Sequence, residues 1–246
     1  MEFIVVLIAL GVQKLWPEGT QFHPTGWFRS YYFWIKTQAQ KLSAWRDNLS
    51  LIVVVAPLLL VLAVLASALH GLLGHFLLGI LVLWYCLGFD QLKSDSVKGI
   101  DSFLLGSYHL VFAVVFWYGL LGVFGLGLYF SLTQLRAVLK TDNSEKTLAA
   151  LTMMVLGVMD WVPARLLGIS FALVGNFSVL FPIWVKELPG KINDAEEHVV
   201  EWGNKALEHS SADSKPTPAS AKTLVERSLM LWLVALALIS IGSWVG

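Results

Sequence analysis

The sequence predicts an all-α, multi-pass membrane protein with about five apolar helical segments, and three observations carry that prediction. Of its 246 residues 57% are apolar and 14% charged, outside the range of ordinary soluble domains. Several uncharged runs approach or reach the roughly 20 residues that a helix needs to cross a hydrocarbon core about 30 Å thick. The lysines and arginines gather in the polar segments between those runs. Net charge is zero, so nothing global attracts nucleic acid, and the lipid bilayer is the expected partner.

Residues 1–50 form an amino-terminal unit. The run from Met1 to Gln13 is too short to span. Glu2 stands where a signal peptide carries basic residues, and no small-x-small cleavage site follows. The run therefore reads as an interfacial or re-entrant helix, or a tilted half-span, ended by Trp16 and Pro17.

Residues 51–184 read as the transmembrane core. Leu51 to Leu69 is a first span without charge, and after His70 and Gly71 the chain returns from Leu72 to Phe89 as the second half of a helical hairpin. Beyond the polar loop Asp90 to Asp101, the stretch Phe103 to Phe130 is too long for one straight perpendicular helix, so it must tilt, kink or break. Its glycines 119, 122 and 125, three apart, approximately line one face for close backbone packing. Leu148 to Trp184 is interrupted by Asp160, Pro163 and Arg165. Longer than one span and shorter than two, it predicts a spanning helix with a broken or re-entrant portion.

Residues 185–227 read as a polar segment. Asn193 and Glu196 suggest a capping box that opens a helix to about His209, with Ala195, Val199, Trp202 and Ala206 on one stripe against the membrane or the bundle. Residues 210–221, rich in Ser, Pro and Ala, read as a flexible tether. Ser228 to Val245, within 228–246, is the last span. Tryptophans 45, 84, 184, 232 and 244 fall near span ends, where indole prefers the headgroup layer.

Orientation follows from the basic residues. Five lie between Lys14 and Arg46 and six between Lys186 and Arg227, with none at the His70 turn, which predicts both long polar segments on the cytoplasmic side of a bacterial inner membrane. The loop Arg136 to Lys146 carries three more. Five simple spans place it outside; a third stretch that turns back places it inside.

Asp160, Trp161, Val162, Pro163, Ala164 and Arg165 are the most informative run. A guanidinium at membrane depth is costly unless paired or wet, so it is expected to face the bundle interior or a polar cavity. Pro163 removes a backbone donor and opens the helix locally, leaving carbonyls for Arg165 or a ligand. The functional reading is a site for a small anionic ligand at Asp160, Pro163, Arg165 and His109. The structural reading is an Asp160–Arg165 pair or an arginine that snorkels to the interface. Tyr108 or His109, ahead of a Phe-Trp run, is a candidate hydrogen-bond partner for this region.

The run MDWVPARLLGISFALVGNF, residues 159–177, resembles the membrane family that holds the AmpE regulatory proteins together with the cobalamin-biosynthesis proteins CobD and CbiB. Asp160, Pro163, Ala164, Arg165 and Leu166 match its pattern of an acid followed by Pro-Ala-Arg-Leu. Residues 111–129, VFAVVFWYGLLGVFGLGLY, resemble the AmpE branch; His23 and Pro24 resemble an amino-terminal His-Pro of the cobalamin branch. The AmpE resemblance implies a noncatalytic regulatory or signalling protein linked to β-lactamase induction, with a cytoplasmic protein partner for residues 186–227. The alternative it implies is an ATP-dependent, amide-forming enzyme of cobalamin biosynthesis. Against that alternative, residues 131–140 lack the acids of that branch, and its loop before the last span is replaced by the helix around Trp202.

No cofactor or metal is expected. The glycine-rich stretch lacks the Lys and Ser or Thr of a nucleotide loop, and the lone Cys86 forms neither an intramolecular disulfide nor a thiolate metal site. Asp194, Glu197, His198 and Glu201 sit at helical spacing and read as solvated helix surface ahead of a divalent-ion site.

Overall fold

Where no water is available, a helix satisfies its backbone hydrogen bonds within itself, so the long apolar runs fold as helices. The computed structural model describes residues 2–15, 26–41, 49–69, 71–88, 99–142, 145–208 and 216–245, and those residues contain helices and no strand. In chain order they are α1 Glu2–Leu15, α2 Gly26–Lys41, α3 Ser50–Ala68, α4 Leu72–Cys86 and α5 Ile100–Ser107. A π turn, Tyr108–Phe112, leads from α5 into α6, Ala113–Leu139. Then follow α7 Lys146–Val174, α8 Phe177–Glu187, a 3-10 turn Ile192–Asp194, α9 Ala195–Leu207 and α10 Pro218–Val245. The stretches Ser50–Ala68, Ile100–Leu139, Lys146–Val174 and Pro218–Gly242 are long and apolar enough to cross a membrane. Leu60, Val64, Leu73, Leu77, Val234 and Leu238 are each more than half exposed, an outward apolar surface suited to lipid.

The third stretch does not run straight. Twenty residues of continuous helix are about 30 Å long, yet His109 Nδ1 lies 3.0 Å from the Tyr129 hydroxyl. A Cβ built on Gly125 would fall 2.8 Å from the Trp117 carbonyl oxygen, eight residues back. The chain reverses at Gly122, whose φ of 61° and ψ of −146° interrupt α6 in a region open essentially only to glycine. The expected break is therefore a helical hairpin, and the one-face reading of the glycines is corrected. Gly122 makes the turn, Gly119 faces Leu236 of α10, and Gly127 faces Leu62 of α3.

This reversal puts the ends of α3 and α6 in order. Gly127, near the Gly122 turn, meets the carboxyl-terminal half of α3, whereas Val54 near the start of α3 shares a buried cluster with Phe28, Tyr32, Leu135, Leu139 and Leu148. Loop residues 140–142 and 145 thus sit beside α2, where Lys36 meets Glu145 at 2.8 Å and Asp142 at 3.7 Å.

The fourth stretch is a second hairpin. It runs unbroken through Pro163 and turns at Gly175 and Asn176, where Asn176 N–H donates to the Ala206 carbonyl at 3.0 Å. The predicted break at Pro163 is corrected to this position. The return helix α8 has 11 residues, about 16 Å, too short to cross. α1 packs inside the bundle with Val5, Val6 and Ala9 buried, and Gln13 Nε2 donates to the carbonyls of Leu87 at 2.6 Å and Trp84 at 3.3 Å. α10 begins at Pro218, ten residues before the apolar run, so the carboxyl-terminal part of the predicted tether is helical. Trp184 and Trp232 direct their indole N–H groups into the protein, to the Arg165 carbonyl at 3.0 Å and the Ser170 hydroxyl at 2.9 Å. The expectations for Trp16, Pro17, His23, Pro24, Trp45, His70, residues 90–98 and 209–215, and the side chain of Trp244 lie outside the described residues.

Candidate functional site

The π turn between α5 and α6 adds one residue to the helix, a feature frequent at functional sites, and here it presents Tyr108 and His109 to different neighbours. Tyr108 points at α7, where its hydroxyl donates to Asp160 Oδ1 at 2.8 Å and lies 2.9 Å from the Asp160 carbonyl. The return arm of the Gly122 hairpin brings Tyr129, whose hydroxyl donates to the same Asp160 Oδ1 at 3.0 Å. Two phenols thus hold a carboxylate that is 4% exposed. Hydrogen bonding is what makes such burial tolerable.

His109 joins this pair to the polar segment. Its Nδ1 faces the Tyr129 hydroxyl and its Nε2 lies 3.1 Å from Glu196 Oε1. Glu196, in the first turn of α9, also takes both terminal nitrogens of Arg136: NH2 reaches Oε2 at 3.2 Å, and NH1 reaches Oε1. The His109 hydrogen bond, followed by the Arg136 guanidinium, holds the Glu196 carboxyl well below the usual carboxylate range despite partial burial. Tyr129 has one hydroxyl proton, which it donates to Asp160 Oδ1. The two ring nitrogens of His109 bridge the Tyr129 hydroxyl and Glu196. One continuous network therefore runs from Asp160 through Tyr129 and His109 to Glu196 and Arg136.

Arg165 stands apart from it. Nε donates to the Leu188 carbonyl at 2.9 Å, NH2 to Gly190 at 3.1 Å and NH1 to Trp161 at 3.2 Å. The guanidinium also lies 4.0 Å from the Trp161 ring centroid. Leu188 is the carboxyl-terminal cap of α8, so Arg165 satisfies carbonyls that a helix end leaves orphaned and meets its negative dipole end. The structure thus brings Asp160 and His109 into one network and leaves Arg165 and Pro163 outside it. The Asp160–Arg165 pair is not made, neither Tyr108 nor His109 hydrogen-bonds Arg165, and Arg165 does reach a carbonyl of its own helix.

The capping-box reading of Asn193 and Glu196 is also corrected. Asp194 occupies the cap position of α9 without a side-chain cap hydrogen bond, and Glu196 is drawn into the network. Arg136, Tyr129 and Glu196 are the members that sequence reasoning missed; among the three glutamates of α9 no local signal marks Glu196. The stripe itself is as expected, with Ala195, Val199, Trp202 and Ala206 all buried. Among the described residues two groups bring metal-ligating atoms within 4.8 Å of one another, namely His109, Asp160 and Glu196, and Glu187, His198 and Glu201. In the first group the Arg136 cation already occupies both carboxylate oxygens of Glu196, which opposes a metal ion there.

A polar network enclosed by helices whose outward faces are apolar defines a multi-pass membrane protein with a charged centre. The chain belongs to the family described as regulatory signalling modulator protein AmpE, whose sequence model matches residues 81–245. It is similar to Protein AmpE of Shigella flexneri, 30% identical over 92 residues that cover 35% of this chain and 31% of that relative's length. No solved structure matches it.

Proposed function

We propose that the protein is a noncatalytic regulator of the bacterial inner membrane, in which the Glu196 contact is a latch between the polar segment and the membrane bundle. The observation that carries this reading is that one carboxylate of α9, Glu196, is shared between His109 and Arg136 on the two arms of the hairpin. A small anionic ligand that competes with Glu196 for Arg136 favours the state in which α9 is released, and only such differential contact shifts a population. The released segment 186–227 is then available to a cytoplasmic protein partner. This moves the anion site from Arg165, whose guanidinium already serves backbone carbonyls, to Arg136 and His109. The β-lactamase link comes from the family resemblance alone. The test is β-lactamase induction in a host that depends on this gene, carrying Glu196→Gln, a deletion of 190–221 or Arg136→Gln. Altered induction with each variant present in the membrane supports the reading; normal induction in all three defeats it. Growth of a cobinamide-phosphate synthase mutant on this gene would instead establish the amide-forming enzyme.

A further inference from the structure

We infer that the cleft beside Arg136 binds a membrane amphiphile, one hydrocarbon chain ending in an oxyanion such as a phosphate monoester, with its head on Arg136 and Lys140. The inference deepens the latch reading and rests on it only for the consequence, displacement of Glu196.

The cleft has a volume of about 340 Å³ and lies between α4 and the two arms of the Gly122 hairpin. That is the lower end of the roughly 300–1,000 Å³ typical of ligand pockets, enough for a head group and part of one chain. Its lining is sorted along the hairpin. Val114 and Phe130, each eight residues from Gly122, supply apolar surface with Leu110, whereas Arg136 and Lys140 lie towards the end where the polar segments gather. Hydrocarbon contacts at membrane depth and cations at the headgroup level match the two halves of an amphiphile. An inorganic anion leaves the apolar wall unused, and a neutral lipid leaves the cations unused.

Charge agrees with shape. Two cations, Arg136 and Lys140, line the cleft against one carboxylate, Glu196, and Arg136 Nε is buried without a hydrogen-bond partner. Among the described residues Lys140 has no ion pair. A doubly charged head suits this excess, and guanidinium binds phosphate in a bidentate fork that Lys140 supplements as a point charge.

The test uses the full chain in phosphatidylcholine nanodiscs and measures equilibrium binding of labelled lysophosphatidic acid. The expected result is saturable binding of one lipid per chain, weakened at least tenfold by Lys140→Gln, an exposed position that leaves the fold intact, and by Val114→Trp, which fills the apolar wall. Lysophosphatidylcholine and inorganic phosphate at the same concentration should not compete. Competition by phosphate equal to the labelled lipid overturns the inference in favour of a free-anion site. Equal binding of lysophosphatidylcholine, or affinity unchanged in both variants, overturns it in favour of adventitious partition. Hydrogen exchange in α9 separates the two readings. Saturable binding with α9 protection unchanged keeps the amphiphile site and sinks the latch. Absent binding with faster α9 exchange in Glu196→Gln does the reverse.

Discussion

Arg165 and Arg136 are two guanidinium groups in one membrane bundle, and they are held by different means. Arg165 is 4% exposed, and three of its nitrogens donate to main-chain carbonyls fixed by the end of α8 and by its own helix. Arg136 is about a quarter exposed, holds a single side-chain carboxylate and borders an open cleft. Carbonyls at a helix end are fixed by the backbone, whereas the Glu196 carboxylate is held on a rotatable side chain. The first arginine is therefore a fixture, and the second is the one whose partners the proposed latch exchanges. Membrane depth makes a charge costly in both places, but only the identity of the partner decides whether the cost constrains structure or couples to a signal.

The largest expected effect breaks the first half of that contrast. Arg165→Ala removes three charge-assisted hydrogen bonds and leaves the Leu188 carbonyl without its donor, and should cost about 3–5 kcal/mol, the scale of losing several such bonds at a buried site. Thermal unfolding in detergent should show it as a large fall in Tm, and Arg165→Lys should rescue little, because one ammonium does not reproduce the fork. A variant as stable as the parent would end the claim that Arg165 is structural.

Glu196→Gln addresses the second half. It removes one charged partner from Arg136 and His109, with an expected loss of about 1.5–3 kcal/mol confined to α9 docking. Hydrogen exchange across residues 195–207 should accelerate by about tenfold to a hundredfold, while α7 keeps its protection. Slowing throughout the chain, or no change in α9, would erase the difference between the two arginines.

Smaller again is the effect of the turn that brings His109 to Tyr129. Gly122→Ala places a Cβ where φ is positive and should cost about 1–2 kcal/mol. Thiol labelling checks the topology behind it. In a Cys86→Ser background, Leu69→Cys and Thr141→Cys should react from opposite faces of the membrane. Reaction from a common face would mean that the third stretch does not fold back.

Much of this architecture is legible from residues alone. The uncharged runs locate α3, α4 and the last span because lipid admits no unpaired backbone, and Ala195, Val199, Trp202 and Ala206 forecast the buried stripe of α9. The excess length of 103–130 announces a break, but its form depends on which of its five glycines adopts positive φ, and nothing local distinguishes Gly122. Proline misled for a related reason. Pro163 lacks a donor, but within a helix buried on that face the loss of one hydrogen bond is tolerated, and the chain turns at Gly175 and Asn176 instead. The site was half visible. Asp160 and Arg165 stand out as charges in an apolar run, whereas Glu196, Arg136 and Tyr129 look ordinary in their own segments. They become functional candidates only when the Gly122 hairpin and the packing of α9 bring positions 87 and 60 residues apart into contact.

The smallest expected effect concerns pH. Because the Glu196 carboxyl is held below its ordinary value of 4.5, the latch contributes stability that is present above pH 4.5 and lost only as pH falls through the lower folded value. Lys36 acts at the other extreme. Burial alone would lower its pKa, yet the Glu145 hydrogen bond and neighbouring acids raise it above 10.5, so its contribution is complete below that value and lost at still higher pH. Neither the Glu196 carboxyl nor Lys36 titrates between pH 5.5 and 8, and with His109, which touches Glu196, replaced by Gln, α9 protection, corrected for intrinsic exchange, should be flat across that window. Loosening of α9 at pH 5.5 would show that protons act on the latch through a group other than Glu196, and the exchange of partners at Arg136 would then be only one of the signals it receives.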